Sequence, residues 1–401
     1  MYYNYPYSIS RILSNAFSEN TTVVSVSGYN IKTIDNYAFE DSSISTITFT
    51  NATNLSGYSL YGASSLTSIC LSGDSIKDKT HQSFFGADNE DGFELKLSNS
   101  NLTKISKGMF EGNTQITSID LSECANIQEI EDKAFRNCIN LKTVKLPYSV
   151  KRIGDYAFYG TNVMNVNFTN LSYLQEIGSY AFYGCGGNEG FGTIDLSNSS
   201  TLSINSYAFN KTKIKNLILP SSSVTLSTNV FDSSNKFESI KAPASLFRTY
   251  SYNVTYINQS GINSAKKLSL TGSEEVISNG AFSGIQDIEE IDLSMSSITT
   301  INGSSFNRLD VTKVTLSSTL ENISTNAFSN CSKLTSLIIP SSVLKIENNA
   351  FNACPLLHLY LNVTKEETSS WGETWFGDVT ETNIYYKDTW SMVNGKPEAN
   401  A

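Results

Sequence analysis

The sequence predicts a repeat solenoid: a right-handed curved superhelix with one parallel β-sheet on its concave side and short helical or irregular turns on its convex side. Three observations predict it. The dipeptide Ala-Phe returns along the chain at intervals of roughly 21 to 27 residues. A segment reading apolar-x-x-apolar-x-apolar follows in phase. The composition is charge-poor, with 16% charged, 39% hydrophobic and 11% aromatic residues in a chain of 401, against the roughly 25% charged residues of an average soluble domain.

The Ala-Phe copies are Ala16-Phe17, Ala38-Phe39, Ala134-Phe135, Ala157-Phe158, Ala181-Phe182, Ala208-Phe209, Ala281-Phe282, Ala327-Phe328 and Ala350-Phe351. Looser versions fill the gaps: Ser59-Leu60, Ser83-Phe84, Met109-Phe110, Val230-Phe231 and Ser305-Phe306. One gap, Phe231 to Phe282, is about twice the usual length and is expected to hold one degenerate coil with a strand near Val254–Ile257. Clear copies of the second segment are LTSICL at Leu66–Leu71, ITSIDL at Ile116–Leu121, LKTVKL at Leu141–Leu146, IKNLIL at Ile214–Leu219 and LTSLII at Leu334–Ile339. Their last three positions alternate inward, outward, inward, as in a short half-buried strand. Pro147, Pro220, Pro243 and Pro340 stop such strands, because proline removes a ladder donor. A third apolar pair, such as Val150/Ile153 or Leu174/Ile177, precedes the next Ala-Phe.

Such a coil is too small to bury its own apolar positions, so its neighbours must supply the missing surface. Phe at a fixed slot then stacks into an internal spine, each copy contributing roughly 1.5–3 kcal/mol. About fifteen coils, with strands about 4.8 Å apart, make one repeat domain rather than three globules.

Strings such as VKRIGDYAFYG, LQEIGSYAFYGC and LENISTNAFSNCSKLTSLIIPSSVLKIENNAFNAC resemble the BspA-like leucine-rich repeat family, which pairs the Ala-Phe motif with a leucine-rich strand and lacks the asparagine ladder of other leucine-rich repeats. The resemblance runs from about Ile9 to Tyr386 and is poorest at Tyr58–Gly92 and Asp232–Gly280. It implies a protein-binding or adhesive role on a cell surface or outside the cell, toward a protein or glycoprotein partner.

The organisation expected is an N-terminal cap and first coil over 1–30, the solenoid over 31–365 with degenerate coils near 58–92 and 232–280, a capping coil over 366–390 and a polar, frayed tail over 391–401. Trp371, Trp375 and Trp390 gather near the C-terminus, where a solenoid needs its last core layer covered; an aromatic binding platform is the other reading. MYYNYPYSIS at the N-terminus has no basic segment followed by an apolar one. That leaves three alternatives: a leader already removed, an unconventional export route or an intracellular protein.

Net charge is −10, which argues against a phosphate-tracking, nucleic-acid-binding surface. No apolar run approaches the length of a membrane span. Six cysteines are too few for a disulfide scaffold. Cys138, Cys185, Cys331 and Cys354 lie three residues after the repeat Phe, where other coils carry Ser42, Ala87 or Thr161. The slot suits a small buried side chain, with free thiols expected; only Cys331 and Cys354 fall in adjacent coils, which leaves a disulfide between them open. Sequons beginning at Asn20, Asn51, Asn101, Asn167, Asn253 and Asn362 matter only in a eukaryotic secretory host.

Chemistry is sparse. His81 and His358 are the two histidines; neither stands beside a nucleophile, and both read as solvated. Gly184, Gly186, Gly187, Gly190 and Gly192 lack a phosphate-binding Lys-Ser/Thr pair and read as an inserted loop. The run Ala87-Asp88-Asn89-Glu90-Asp91-Gly92 fails as a calcium loop, since its first and twelfth positions would be Ala87 and Ser98. Neither catalytic residue, metal nor cofactor is expected.

What remains is the open face of the sheet. Its outward positions include Asp120, Lys145, Asn167, Asp195, Lys241, Asp292 and Tyr360, which form the candidate interaction face. The competing surface carries the tyrosines beside the repeat motif, Tyr156, Tyr159, Tyr180, Tyr183 and Tyr207. The expected function is non-enzymatic interaction or adhesion; an intracellular scaffold and a carbohydrate-binding or enzyme-accessory module are the alternatives.

Overall fold

The computed structural model describes residues 9–49, 54–56, 58–71, 92–98, 102–251 and 254–400. They divide into two compact units, Met1–Gly192 with Asn198–Lys213 and Thr193–Ser197 with Ile214–Ala401. His81, Ser83-Phe84, Ala87–Asp91 and the sequons at Asn51, Asn101 and Asn253 lie outside the described residues.

The molecule is a parallel-strand β-solenoid with few helices. In the first unit the leucine-rich segments Ser25–Gly28, Thr46–Phe49, Ser68–Leu71, Phe93–Leu97, Ile116–Asp120, Thr143–Lys145 and Asn165–Val166 pair in chain order as one parallel ladder. The register matches the repeat, with Ile47 opposite Ile69, Ile69 opposite Leu95, and Leu95 opposite Ile119. In the second unit Ile214–Ile218, Phe237–Pro243, Ala265–Gly272, Glu290–Ser296 and Lys313–Thr315 continue the same pattern. Ser336–Ile339, His358–Leu361 and Ile384–Tyr385 form a further parallel sheet.

The third apolar pair makes a second ladder, an element the repeat pattern alone left unassigned. Lys104–Ile105, Glu129–Ile130, Arg152–Ile153, Glu176–Ile177 and Thr201–Ile204 pair in parallel, and their isoleucines are fully buried. Val276–Ile277, Thr300–Ile301, Asn322–Ile323 and Lys345–Ile346 do the same in the second unit. Each is a two-residue contact, because the chain turns immediately into the Ala-Phe segment.

That segment supplies a third set of coil-to-coil bonds. The amide of Phe135 donates to the carbonyl of Ala157 at 2.7 Å, that of Phe158 to Ala181 at 2.8 Å and that of Phe182 to Ala208 at 2.8 Å. Ala fits because the neighbouring backbone passes directly over it. The buried Phe rings then stack: Phe110, Phe135, Phe158, Phe182 and Phe209 follow one another at 5.1 to 5.2 Å between centroids. In the second unit Phe282, Phe306, Phe328 and Phe351 follow at 4.5 to 5.4 Å.

The turn also needs left-handed backbone immediately before the Ala. Tyr37, Lys133, Tyr156, Tyr180, Tyr207, Asn326 and Asn349 all have φ between 56° and 60° except Tyr207 at 62°. Glycine and asparagine enter that region cheaply, whereas other side chains crowd the following carbonyl.

The double-length gap holds one irregular coil, but its ladder strand is Ala265–Gly272, not the expected Val254–Ile257. Val254–Thr255 instead pairs antiparallel with Thr249–Ser251 and leads into a short helix, Tyr256–Gln259, whose Thr255 side chain caps Asn258 N. The spacing AKKLSL places Ala265, Leu268 and Leu270 inward, a match weakened by alanine in the first apolar position. Phe247 takes over the spine, 5.5 Å from Phe282.

At the C-terminal end Trp375 lies edge-on to Phe351 at 6.3 Å, and the Trp371 indole donates to Leu344 O at 3.1 Å. The residues expected to fray form an antiparallel hairpin, Trp390–Val393 with Lys396–Ala399. Asn394-Gly395 turns it, both residues at positive φ as a tight two-residue hairpin demands.

Candidate functional site

Two surfaces concern recognition. The first is the open face of the sheet. In the first unit its outward column runs Thr48, Cys70, Lys96, Asp120, Lys145 in register. Lys96 was hidden in the sequence because its coil, FELKL, follows a stretch without a clear repeat. Lys145 and Asp120 are brought together, Nζ to Oδ2, at 3.1 Å. The Asp120 carboxylate also accepts from Ser122 N at 3.0 Å. Partial burial works against its charge, but the Ser122 bonds and then Lys145 outweigh this and leave its pKa below the ordinary carboxylate value. The depression beside them, lined by Cys70, Glu94, Lys96, Asp120 and Lys145 among others, measures about 230 Å³, below the range of typical small-molecule pockets.

Several other column residues hold the backbone. Asn167 leaves the ladder, since its strand ends at Val166. Its amide bonds back to both backbone groups of Leu146, accepting at 2.8 Å and donating at 2.9 Å. Phe168 follows into the core against Phe182 at 5.5 Å, which explains the turn. In the second unit Asp195 and Asp292 repeat the Asp120 device, accepting from Ser197 N at 3.0 Å and Ser294 N at 2.9 Å. A strand can therefore end in Asp-Leu-Ser or in x-Leu-Pro, as at Pro147. Lys241 lies between Ile218 and Ser269, and Ser269 separates it from Asp292; Ser269 was missed with its strand.

Tyr360 is corrected. It occupies the column opposite Ile338, yet it is 7% exposed rather than open on that face. Tyr385 stacks on it at 4.8 Å and Trp390 meets it edge-on at 5.4 Å. His358, expected to be solvated, is half-buried beside the same tyrosine, with Nδ1 3.2 Å from Tyr385 Oη.

The second surface is the tyrosine strip of the first unit. Tyr156, Tyr180 and Tyr207 stack at 4.9 and 4.8 Å with their planes within 13°. Tyr159 and Tyr183 form a parallel row at 5.3 Å, and Lys211 Nζ sits 5.3 Å from the Tyr183 ring centroid. The two rows are 5.6 Å apart at Tyr156–Tyr159 and 5.4 Å apart at Tyr180–Tyr183. Local desolvation and the adjoining phenols hold the Tyr180 hydroxyl above its ordinary pKa. A smaller group, Tyr37, Tyr58 and Tyr61, repeats the arrangement.

The cysteine slot is structural. None of the six cysteines is in a disulfide, Cys331 and Cys354 included. Cys138, Cys185, Cys331 and Cys354 donate to the preceding coil's Phe carbonyl at 2.9 to 3.1 Å. Ser42 and Thr161 in the same slot donate to the Phe carbonyl of their own coil. Burial pushes the Cys138 and Cys185 thiols up to about 12. The glycine run is a loop whose Gly190 cannot be replaced: at φ +73° a Cβ there would stand 2.2 Å from Lys213 O. Among the described residues no group of three or more metal-ligating side chains occurs, and no helix is long and apolar enough to cross a membrane.

No curated protein matches the chain. Solved structures similar to it include a leucine-rich repeat protein from Bacteroides ovatus, 19% identical over 96% of this chain and 90% of that one, with a TM-score of 0.35. A leucine-rich repeat protein from Eubacterium ventriosum is 20% identical over 65% of this chain and 82% of its own, with a TM-score of 0.30. A leucine-rich cell surface protein from Faecalibacterium prausnitzii is 17% identical over 90% of each, with a TM-score of 0.21. The family profile described as BspA type leucine-rich repeat region matches residues 2–90, 80–189, 168–269 and 259–380. With its Ala-Phe turns, leucine-rich strands and nearly continuous match, the chain belongs to the BspA-type leucine-rich repeat family.

Proposed function

We propose that this chain is a non-enzymatic interaction solenoid, displayed on or outside a cell, that binds a protein or glycoprotein partner through several adjacent coils of the first unit. One observation carries the choice of surface. Tyr156, Tyr180 and Tyr207 stack in one row and Tyr159 and Tyr183 in a second beside it, all of them only half-buried. Tyrosine is a preferred anchor at protein interfaces. The sheet face is the weaker surface, because Asp120, Asn167, Asp195 and Asp292 already close local turns or backbone bonds and Tyr360 is covered. Within that face Lys96 and Lys145 of the first unit and Lys241 of the second remain as secondary contacts.

The test is a binding titration against an array of purified extracellular-matrix glycoproteins. A triple Tyr156→Asn, Tyr180→Asn, Tyr207→Asn variant, using a residue native to this slot elsewhere, should lose at least about tenfold in affinity, or roughly 1.4 kcal/mol. Lys96→Ser with Lys145→Ser should change it less. Equal binding by wild type and the tyrosine variant would return the contact to the sheet face. A second reading, an intracellular scaffold on the same fold, is favoured by the six cysteines, none of which is in a disulfide, the usual state in a reducing compartment. Protease shaving of intact cells separates the two.

A further inference from the structure

We infer that the tyrosine strip is a site of oxidative cross-linking, in which adjacent coils are joined covalently through dityrosine between Tyr180 and either Tyr156 or Tyr207, and between Tyr159 and Tyr183. The geometry is that of paired phenols held ready: centroids 4.8 to 5.3 Å apart, with planes within 3° to 13° of parallel. The rings are only half-buried, so an oxidant can reach them. The backbone bonds between coils, such as Phe158 N to Ala181 O at 2.8 Å, fix the distance between their anchor points. Stacked neighbours also let an unpaired electron move from ring to ring before it couples.

The oxidant required is a peroxidase-type one-electron oxidant with hydrogen peroxide. Each of two phenols gives it one electron and one proton, leaving two phenoxyl radicals. These join by a carbon–carbon bond between their ring positions ortho to oxygen. Each joined carbon then gives up its hydrogen, which returns to the phenol oxygen and restores the aromatic ring. The pair has lost two hydrogen atoms, and one peroxide has become two waters. A link of this kind closes a loop of about 25 residues and removes conformational freedom from the unfolded chain. The chemistry is independent of partner binding, so either proposal can fail without the other.

The experiment treats the full chain with peroxidase and limiting peroxide and maps linked peptides by mass. Tyr29, Tyr148 and Tyr173 serve as internal controls because they are 74%, 53% and 55% exposed. Tyr148 and Tyr173 are also neighbours, but at 6.2 Å and tilted by 50°. Expected is an intramolecular link at Tyr180 in several-fold excess over any link at the controls, with that excess lost in denaturant. Tyr180→Phe keeps the stacked ring but cannot yield a phenoxyl radical; it should abolish links at that position while Tyr159–Tyr183 persists. Links that follow exposure, arise mainly between molecules, or survive denaturation unchanged in pattern would overturn the inference.

Discussion

The two units run the same coil with different residues before the repeat Ala. In the first unit that left-handed position holds Tyr37, Tyr58, Tyr156, Tyr180 and Tyr207 beside Asn15, Gly108 and Lys133; in the second it holds no tyrosine among the described residues but Asn229, Gly280, Ser304, Asn326 and Asn349. Glycine and asparagine are the inexpensive choices. Tyrosine occurs where another tyrosine stacks on it: Tyr37 on Tyr58 at 5.8 Å, and Tyr156 on Tyr180 on Tyr207. An aromatic pair contributes about 0.5–1.5 kcal/mol beyond its buried area, enough to offset much of the backbone cost. The slot therefore accepts tyrosine in succession. The Phe spine differs in the same direction: planes within 10° from Phe110 to Phe209, but tilted by 54° at Phe282–Phe306, beyond the irregular coil.

The largest effect should come from breaking that spine. Phe158→Ala and Phe306→Ala each remove a fully buried ring and should cost about 3–5 kcal/mol. The tilted surroundings of Phe306 should collapse more readily and place it at the lower end. Denaturant unfolding gives the cost, and hydrogen exchange should show the damage spreading to the coils on either side. Unchanged unfolding of both variants would mean that the stacked Phe rings do not form the core.

The repeat was legible because it recurs: period, Phe slot, strand segment and proline stops each have a physical signature that survives a few bad copies. Singular features were not. The strand Ala265–Gly272 was missed because one alanine stands where a larger apolar residue was sought. The second ladder was visible as Val150/Ile153 and its kin, but two-residue strands carry too little alternation to be read as β. At the candidate surface, the position of Asp120 in the column was legible and its bond to Ser122 was not, although Asp-x-Ser is a turn signal. Tyr360 was misjudged because its cover, Tyr385 and Trp390, arrives from 25 and 30 residues further along the chain.

A smaller effect tests the slot itself. Asn326→Tyr would place a lone tyrosine between Ser304 and Asn349 with no aromatic neighbour in the slot, and should cost about 1–2 kcal/mol. Asn326→Gly should change stability by only a few tenths of a kcal/mol, or about that order. Tyr180→Asn relieves backbone strain and loses two stacks, so the net change should stay within about 1 kcal/mol. A thermal melt of the three variants ranks them. If Asn326→Tyr is as harmless as Asn326→Gly, stacking is not what licenses tyrosine in the first unit.

The smallest effect concerns acid. Along the second ladder of the first unit Arg152 reaches Glu129 at 2.6 Å, Asp132 at 3.0 Å and Glu176 at 3.4 Å, and Lys104 reaches Glu131 at 2.7 Å. The Lys104 bond, outweighing partial burial, holds the Glu131 carboxyl below its ordinary pKa. Burial opposes the charge of Asp132, but the Asp155 amide and Arg152 overcome it and lower that pKa as well. In the second unit the amide of Thr325 and the side chain of Lys345 depress Glu347 alone in this position. A depressed carboxylate contributes stability that is fully present above its unfolded pKa, about 4.3 for Glu, and is lost as pH falls through the lower folded value. These groups are partly exposed, so each should contribute under about 1 kcal/mol and less in high salt. Acidification from about pH 6 to about pH 3 should therefore loosen the first unit's second ladder more than the second unit's, read as amide exchange at Ile130 and Ile153 against Ile323 and Ile346 after correction for the intrinsic pH dependence of exchange. Equal loosening in both, or none in either, would mean that Arg152 and Lys104 only decorate the surface, and that the isoleucines beneath them hold the ladder unaided.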